Sequence, residues 1–254
     1  MVEEEYFNVQ FGTYDEKFGN SWGMNWRSYM KLRAEKAKTK CCNIIRENKR
    51  CKILELGCAT GDFTTSIMNC IIECEWDYLG GDISEVAIDI CRKKFREFQP
   101  FRFVKMVLPS IPTEESFDCI VCMDIFEYFS INERVESLKS IYMHLNKGGK
   151  IIFQIPLEGE REEEVIPLFN EWFQNINIDY VYGDIWFRWM EKPLVRLVDE
   201  LLRRKIFGVL GIPIGKIAYK ICSSYKLVKR AFDFNERFFP EKKSHMIIIG
   251  ERKE

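Results

Sequence analysis

Histidine is scarce in this chain, with only His144 and His245 among 254 residues. Neither stands near enough to the Cys41-Cys42 or Cys70/Cys74 pairs to complete a zinc set, so no metal centre is expected. Long hydrophobic runs are missing too. IFGVLGIPI, from Ile206, stops at nine residues before Gly215-Lys216, well short of the ~18 that a spanning helix needs. The first residues, MVEEEYFNVQ, are acidic and polar, unlike a signal or transit peptide. Internal repeats and low-complexity tracts are absent as well. The net charge of −1 makes no global case for nucleic acid or membrane.

What is present is an ordinary globular composition, 46% apolar and 30% charged, long enough for one α/β core with a small appended subdomain. The ten cysteines sit mostly in apolar runs, where a thiol acts as a small hydrophobe. Cys119 and Cys122 fall three apart in a predicted strand and so face opposite ways. A reducing cytoplasm is the expected compartment. Charge is unevenly spread. Between Ile185 and Phe232 stand 11 Lys/Arg and 3 Asp/Glu, a local excess of +8 that leaves −9 elsewhere. Such asymmetry is a hint about partners.

Residues 1–24 read as irregular. A helix is predicted from about Asn25 to Asn48, with Met30, Ala34, Ala37, Cys41 and Ile44/Ile45 at three-to-four spacing. The period then changes. Strands are predicted at CKILELG, DYLGGDI, FRFVKM, FDCIVCM and GGKIIFQIP, separated by helices DFTTSIMNCIIE, SEVAIDICRKKFREF and INERVESLKSIYMHL and the loop LPSIPTEES. Strands alternating with helices argue for a parallel sheet covered on both faces. EREEEVIPLFNEWFQNI reads as a further helix, IDYVYGDI as a sixth strand, and HMIIIGER as the last. Four segments follow: 1–49, a core 50–184, a basic helical insertion 185–232, and a final strand within 233–254.

In an open α/β sheet the ligand sits beyond the carboxyl ends of the strands. The first strand-to-helix turn here is Gly57-Cys58-Ala59-Thr60-Gly61, and Asp82 closes the next strand, where a carboxylate can hold ribose hydroxyls. The loop is GxxxG rather than GxGxxG, Asp62 opens the helix, and Glu55 precedes the loop. Carboxylates at those places repel a phosphate and suit a cationic nucleoside.

ELGCATG resembles motif I of class I S-adenosylmethionine-dependent methyltransferases, E/D-x-G-x-G-x-G, with Cys58-Ala59 in place of the middle x-G. GGDIS, ESFDCIVCMDIFEYF and LNKGGKIIFQIP follow in the family's order, so the resemblance covers roughly residues 50–156. It implies a Rossmann-like fold: a seven-stranded, mostly parallel sheet with an antiparallel last strand, plus a helical cap. The implied cofactor is S-adenosylmethionine. Glu55, Gly57, Cys58, Ala59 and Gly61 would line its methionine part, Asp82 its ribose, Ile83 and Leu108 its adenine, with Met123 closing the fourth strand beside it. The N-terminal FGTYDEKFGNSWGMNWRSYMKLR is similar to segments that cover the cofactor in small-molecule methyltransferases, which makes Tyr14, Trp22, Trp26 and Arg33 candidates. A narrower resemblance is to nodulation-type amino-sugar N-methyltransferases.

The fourth strand ends in Met123-Asp124-Ile125-Phe126-Glu127-Tyr128, where relatives often carry a histidine at the last position. His144 lies late in a predicted helix and His245 opens a strand, so both read as structural. Asp124 and Tyr128 remain as candidate catalytic groups. A nitrogen acceptor needs only to lose a proton, whereas a hydroxyl needs a positioned base; nitrogen is favoured, and Asp124 keeps oxygen open. The chain lacks the N/D-P-P-Y/F/W element of base N-methyltransferases and the Pro-Cys of cytosine enzymes, so no nucleic-acid substrate is expected. A small-molecule acceptor is, a sugar or glycolipid precursor. The alternatives are an O-methyltransferase of a prenylated or lipid acceptor and a non-catalytic nucleoside-binding protein. RRKIFGVLGIPIGKIAYKICSSYKLVKR interleaves basic and apolar residues, which suits either a substrate lid or contact of 203–230 with an anionic membrane surface.

Overall fold

Ile53, Leu54, Glu55 and Leu56 are all buried, which places β1 (Arg50–Leu56) in the middle of a sheet covered on both faces. The computed structural model describes residues 4–12, 28–48, 50–70, 75–99, 101–158, 161–203 and 208–254. The other strands are β2 (Glu75–Asp82), β3 (Phe101–Lys105), β4 (Phe117–Met123), β5 (Leu145–Pro156), β6 (Phe173–Val181) and β7 (His245–Arg252). They form one seven-stranded sheet in the order β3-β2-β1-β4-β5-β7-β6, parallel except for the last strand. β1 pairs with β2 on one side and β4 on the other. Strand order therefore reverses at β1, and the crevice at its carboxyl end is where an open sheet takes a ligand.

Among the described residues the α-helices of six residues or more are α1 (Glu4–Gly12), α2 (Ser28–Glu47), α3 (Asp62–Ile67), α4 (Glu85–Lys94), α5 (Ile131–Met143), α6 (Glu162–Trp172), α7 (Lys192–Arg203), α8 (Gly208–Cys222) and α9 (Tyr225–Phe238). Their starts follow the local chemistry. Ser84 accepts from the Ala87 amide at the start of α4, and Ser130 with Glu133 forms a capping box at α5. On α2 the predicted spacing buries Ala37, Cys41, Ile44 and Ile45.

The chain divides into two units, one of residues 1–12, 36–179 and 246–254, the other of 13–35 and 180–245. The first holds the sheet. The second is helical, with Tyr29 stacked on Phe187 at 5.2 Å and edge-on to Phe232 at 5.8 Å. Buried Asn235 accepts from the Ile185 amide and donates to the Phe239 and Lys242 carbonyls, tying the end of α9 to the start of this unit's second segment. No described helix is long and apolar enough to cross a membrane.

Five expectations differ from the structure. Residues expected to be irregular at the N-terminus include α1. The helix expected to reach Ile176 ends at Trp172, and the sixth strand starts at Phe173, because exposure alternates with period two from Phe173 onward. The fifth strand starts at Leu145, before Gly148. A boundary at 232/233 would cut α9 in mid-helix. Cys42 and Cys70, expected as packing thiols, form a disulfide with Cα atoms 5.5 Å apart, joining α2 to the turn after α3.

Glu55 lies within the core rather than on the loop. Thr64 donates to its carboxyl at 2.9 Å, and the Tyr78 hydroxyl bonds to the same oxygen and lies 2.8 Å from that of Thr64. Burial pushes the Glu55 carboxyl up to about 8, opposed by those two hydrogen bonds and reinforced by the negative charge of Asp82. The side chain is therefore neutral at pH 7. The folded state retains a proton that the unfolded chain releases above about 4.5. The contribution to stability is complete below that value and is lost as pH rises through about 8. Urea unfolding at pH 5 and pH 8 should show wild type weakening by a few kcal/mol, and Glu55→Gln should remove most of that slope.

Candidate functional site

The loop after β1 is shaped by three left-handed residues in alternation: Gly57 (φ 78°), Ala59 (φ 46°) and Gly61 (φ 73°). A Cβ on Gly57 would stand 2.5 Å from Ile125 Cγ2, and one on Gly61 would stand 2.6 Å from Phe95 Cε2. Ala59 occupies the middle glycine position of the motif and bears the steric cost of that conformation itself. The departure noted in the sequence thus leaves the loop's path intact.

Most of the loop's amides point at the end of β2. Gly57 and Cys58 both donate to the Gly81 carbonyl, at 2.8 and 3.0 Å, and Gly61 donates to Cys58 O at 2.8 Å. Ala59 donates to Asp82 Oδ2 at 2.9 Å, and Ser84 donates to Asp82 Oδ1 at 2.9 Å. A phosphate cradle needs such N–H groups turned outward to the anion. Here four of the five are engaged internally. The loop fits a nucleoside held by an acid and does not fit a phosphate. Asp82 is 7% exposed. Burial raises its pKa, and backbone hydrogen bonds from Ser84, Ala59 and Ile83 oppose that rise. Each oxygen retains lone pairs for a further donor.

α4 braces the loop from behind. Lys94 Nζ donates to Thr60 O and Gly61 O at 3.1 and 3.2 Å, and the Cys91 thiol to Ala59 O at 3.1 Å. Cys58 is buried beside Cys91, and the thiol–thiol contact together with desolvation raises its pKa. It packs as a thiol against the loop it belongs to.

At the end of β4, Met123 pairs with Gln154 of β5, and Asp124 takes a left-handed conformation (φ 52°). Gln154 is fully buried, and its amide nitrogen donates to both Asp124 oxygens at 3.2 and 3.1 Å. A strained backbone with a clamped carboxylate is the kind of arrangement that functional sites retain. Tyr128, in the turn Phe126–Tyr128, is 39% exposed and meets Phe7 of α1 edge-on at 5.5 Å. α1 also reaches β2 and β3: Ser84 Oγ donates to Asn8 Oδ1 at 2.6 Å, and Lys105 pairs with Glu4 at 2.6 Å. This helix therefore touches the last residue of β3 and the segments that follow β2 and β4.

The structure brings Gly57, Cys58, Ala59, Gly61 and Asp82 into one constellation, with half-buried Ile83 next to Asp82. Leu108 is buried beyond β3. Arg33 is half-buried on α2 and belongs to the second unit. Tyr14, Trp22 and Trp26 lie outside the described residues. His144 ends α5, its ring nitrogens 2.8 Å from Ser140 O and 2.9 Å from Thr113 O, and buried His245 contacts Ser244 at 3.0 Å. Sequence reasoning missed Lys94, Cys91, Gln154 and α1. Of these only Gln154 left a signal, as the one polar residue within the apolar IIFQIP.

Relieving the left-handed strain at Ala59 gives a first test. Ala59→Gly should raise the melting midpoint by about 1–3 °C, whereas Gly57→Ala should lower it; thermal denaturation followed by circular dichroism reads both.

Residues 53–149 match a family model described as a methyltransferase domain. A curated relative, malonyl-[acyl-carrier protein] O-methyltransferase 1 of Ilyobacter polytropus, is 28% identical over 105 residues, which is 41% of this chain and 38% of the relative. The match thus spans less than half of that relative's length. The solved N-methyltransferase NodS of Bradyrhizobium japonicum, in complex with S-adenosyl-L-homocysteine, superposes with a TM-score of 0.50 at 17% identity, covering 61% of this chain and 90% of that one. Phosphoethanolamine N-methyltransferase 2 of Haemonchus contortus, in complex with S-adenosyl-L-methionine, gives a TM-score of 0.55 at 12% identity over 100% of this chain and 60% of that one. These structural likenesses speak for the fold. The matched domain, the collinear motifs and the acid-held loop together support a class I S-adenosylmethionine-dependent methyltransferase, a family whose cofactor is S-adenosylmethionine.

Proposed function

We propose that the chain transfers a methyl group from S-adenosylmethionine to a nitrogen or oxygen of a small molecule, a sugar or glycolipid precursor. The observation that carries this is the inward commitment of the loop's amides to Gly81 and Asp82, which suits a nucleoside without phosphates. S-adenosylmethionine supplies a methyl group already activated on a sulfonium. Gly57 to Gly61 would hold its methionine part, Asp82 its ribose, and Ile83 and Leu108 its adenine side, with Met123 beside the cofactor at the end of β4. Glu55, neutral and tied to Thr64 and Tyr78, acts by holding the loop's base rather than as a counter-charge.

Asp124, clamped by Gln154, would take a proton from the acceptor, and Tyr128 would orient that acceptor. His144 is occupied by the Ser140 and Thr113 carbonyls, and His245 meets Ser244 in the core. With the histidines so placed, nitrogen is the favoured target, since a hydroxyl acceptor needs a stronger positioned base. A lipid-bearing O-acceptor is the second reading, favoured by the exposed cations and apolar side chains of α8 and α9.

Calorimetry should show S-adenosylmethionine binding and no binding of NAD; the reverse result would remove the methyltransferase reading. Asp82→Ala should weaken cofactor binding at least about tenfold, and an unchanged affinity would take Asp82 off the ribose. Asp124→Asn should lower kcat about a hundredfold while cofactor affinity holds. Cofactor binding with no methyl transfer to any amine or hydroxyl acceptor would instead mark a nucleoside-binding protein.

A further inference from the structure

The second unit carries an exposed face of aromatic and basic side chains. α9 buries Val228, Phe232 and Asn235 along one stripe. At 3.6 residues per turn, Leu227, Phe234 and Phe238 then fall together on one outer flank, with Lys226, Arg230 and Arg237 beside them. Phe234 is 51% exposed and Phe238 55%. Their rings lie 4.8 Å apart, Phe239 is 5.9 Å from Phe234, and the Arg237 guanidinium stacks over Phe238 at 5.2 Å. Phe234 and Phe239 also wall a groove of about 810 Å³ with Ile185 and Trp189, and Trp189 is 76% exposed.

The charges around this patch favour one sign. Asp233 is paired with Lys229 at 2.8 Å and Asp184 with Arg188 at 2.7 Å. Glu236 falls on the opposite flank of α9 by helical geometry, and Glu241 lies at the groove together with Lys242 and Lys243. Residues 203–230 hold eight Lys/Arg and no Asp/Glu. Contiguous exposed aromatics of this extent mark an interaction site rather than ordinary surface. Aromatic rings set beside cations on long stems match the boundary of a bilayer, where rings enter the headgroup layer and cations meet lipid phosphates.

We propose that this face, Leu227, Phe234 and Phe238 with Lys226, Arg230 and Arg237, docks the protein on an anionic lipid bilayer. The inference does not depend on what the methyl acceptor is. Flotation of the full chain with vesicles of phosphatidylcholine alone, and of equal parts phosphatidylcholine and phosphatidylglycerol, tests it. Wild type should float with the anionic vesicles only and be released by high salt. Arg230→Glu with Arg237→Glu should lower the partition coefficient by about 20-fold or more, and Phe234→Ser with Phe238→Ser by at least about tenfold. All four side chains are exposed, so melting midpoints should stay near wild type and separate lost docking from lost folding. Absence of flotation, equal binding to neutral vesicles, or binding that neither variant reduces would overturn the proposal. So would concentration-dependent self-association abolished by the phenylalanine variant without any vesicle binding, which would assign the face to a second copy of the chain.

Discussion

The latch between the loop after β1 and the end of β2 is the constraint on which the site depends. Gly57 and Cys58 share the Gly81 carbonyl, and Ala59 binds the Asp82 carboxylate. These bonds set the left-handed path of the loop, hold Asp82 at the crevice, and turn the amides away from any anion. A hydrogen bond to a charged group in a buried setting contributes more than one between neutral groups in water, so the latch is strong where the site needs to be rigid.

Two supports surround the latch. Beneath it, Glu55, Thr64 and Tyr78 join β1, α3 and β2 through a buried polar cluster whose carboxyl is neutral. Behind it, Lys94 and Cys91 hold the loop's carbonyls from α4. Across the crevice, Gln154 fixes Asp124 from the neighbouring strand. Asp82, Asp124 and the loop are thereby each positioned by a partner from a different element. Such support is what keeps a binding constellation within the narrow tolerance its chemistry requires.

The second unit follows other rules. Its interior is aromatic, with Tyr29 in contact with both Phe187 and Phe232, and Asn235 supplies the polar tie. Its outer face keeps rings and cations exposed together. In a helix of this kind burial requires only a stripe, so the remaining circumference is available for a separate role.

The strand–helix alternation, the glycine turn after β1 and the position of Asp82 at the end of β2 were legible in the sequence, because periodicity and turn residues act locally and the crossover geometry follows from them. The N-terminal helix and the start of β6 were not, since both are decided by the surfaces they pack on. The state of Glu55 shows the difference most clearly. A carboxylate beside a glycine loop reads as a charge at the ligand, yet its environment is set by Thr64, nine residues on, and Tyr78, on the next strand. Lys94, Gln154 and the Cys42–Cys70 bridge likewise depend on contacts between distant segments. Local chemistry determined which elements form and where a ligand can approach. Only the packing of those elements decided which side chains are charged, clamped or buried there, because desolvation and hydrogen-bond geometry arise when remote parts of the chain meet.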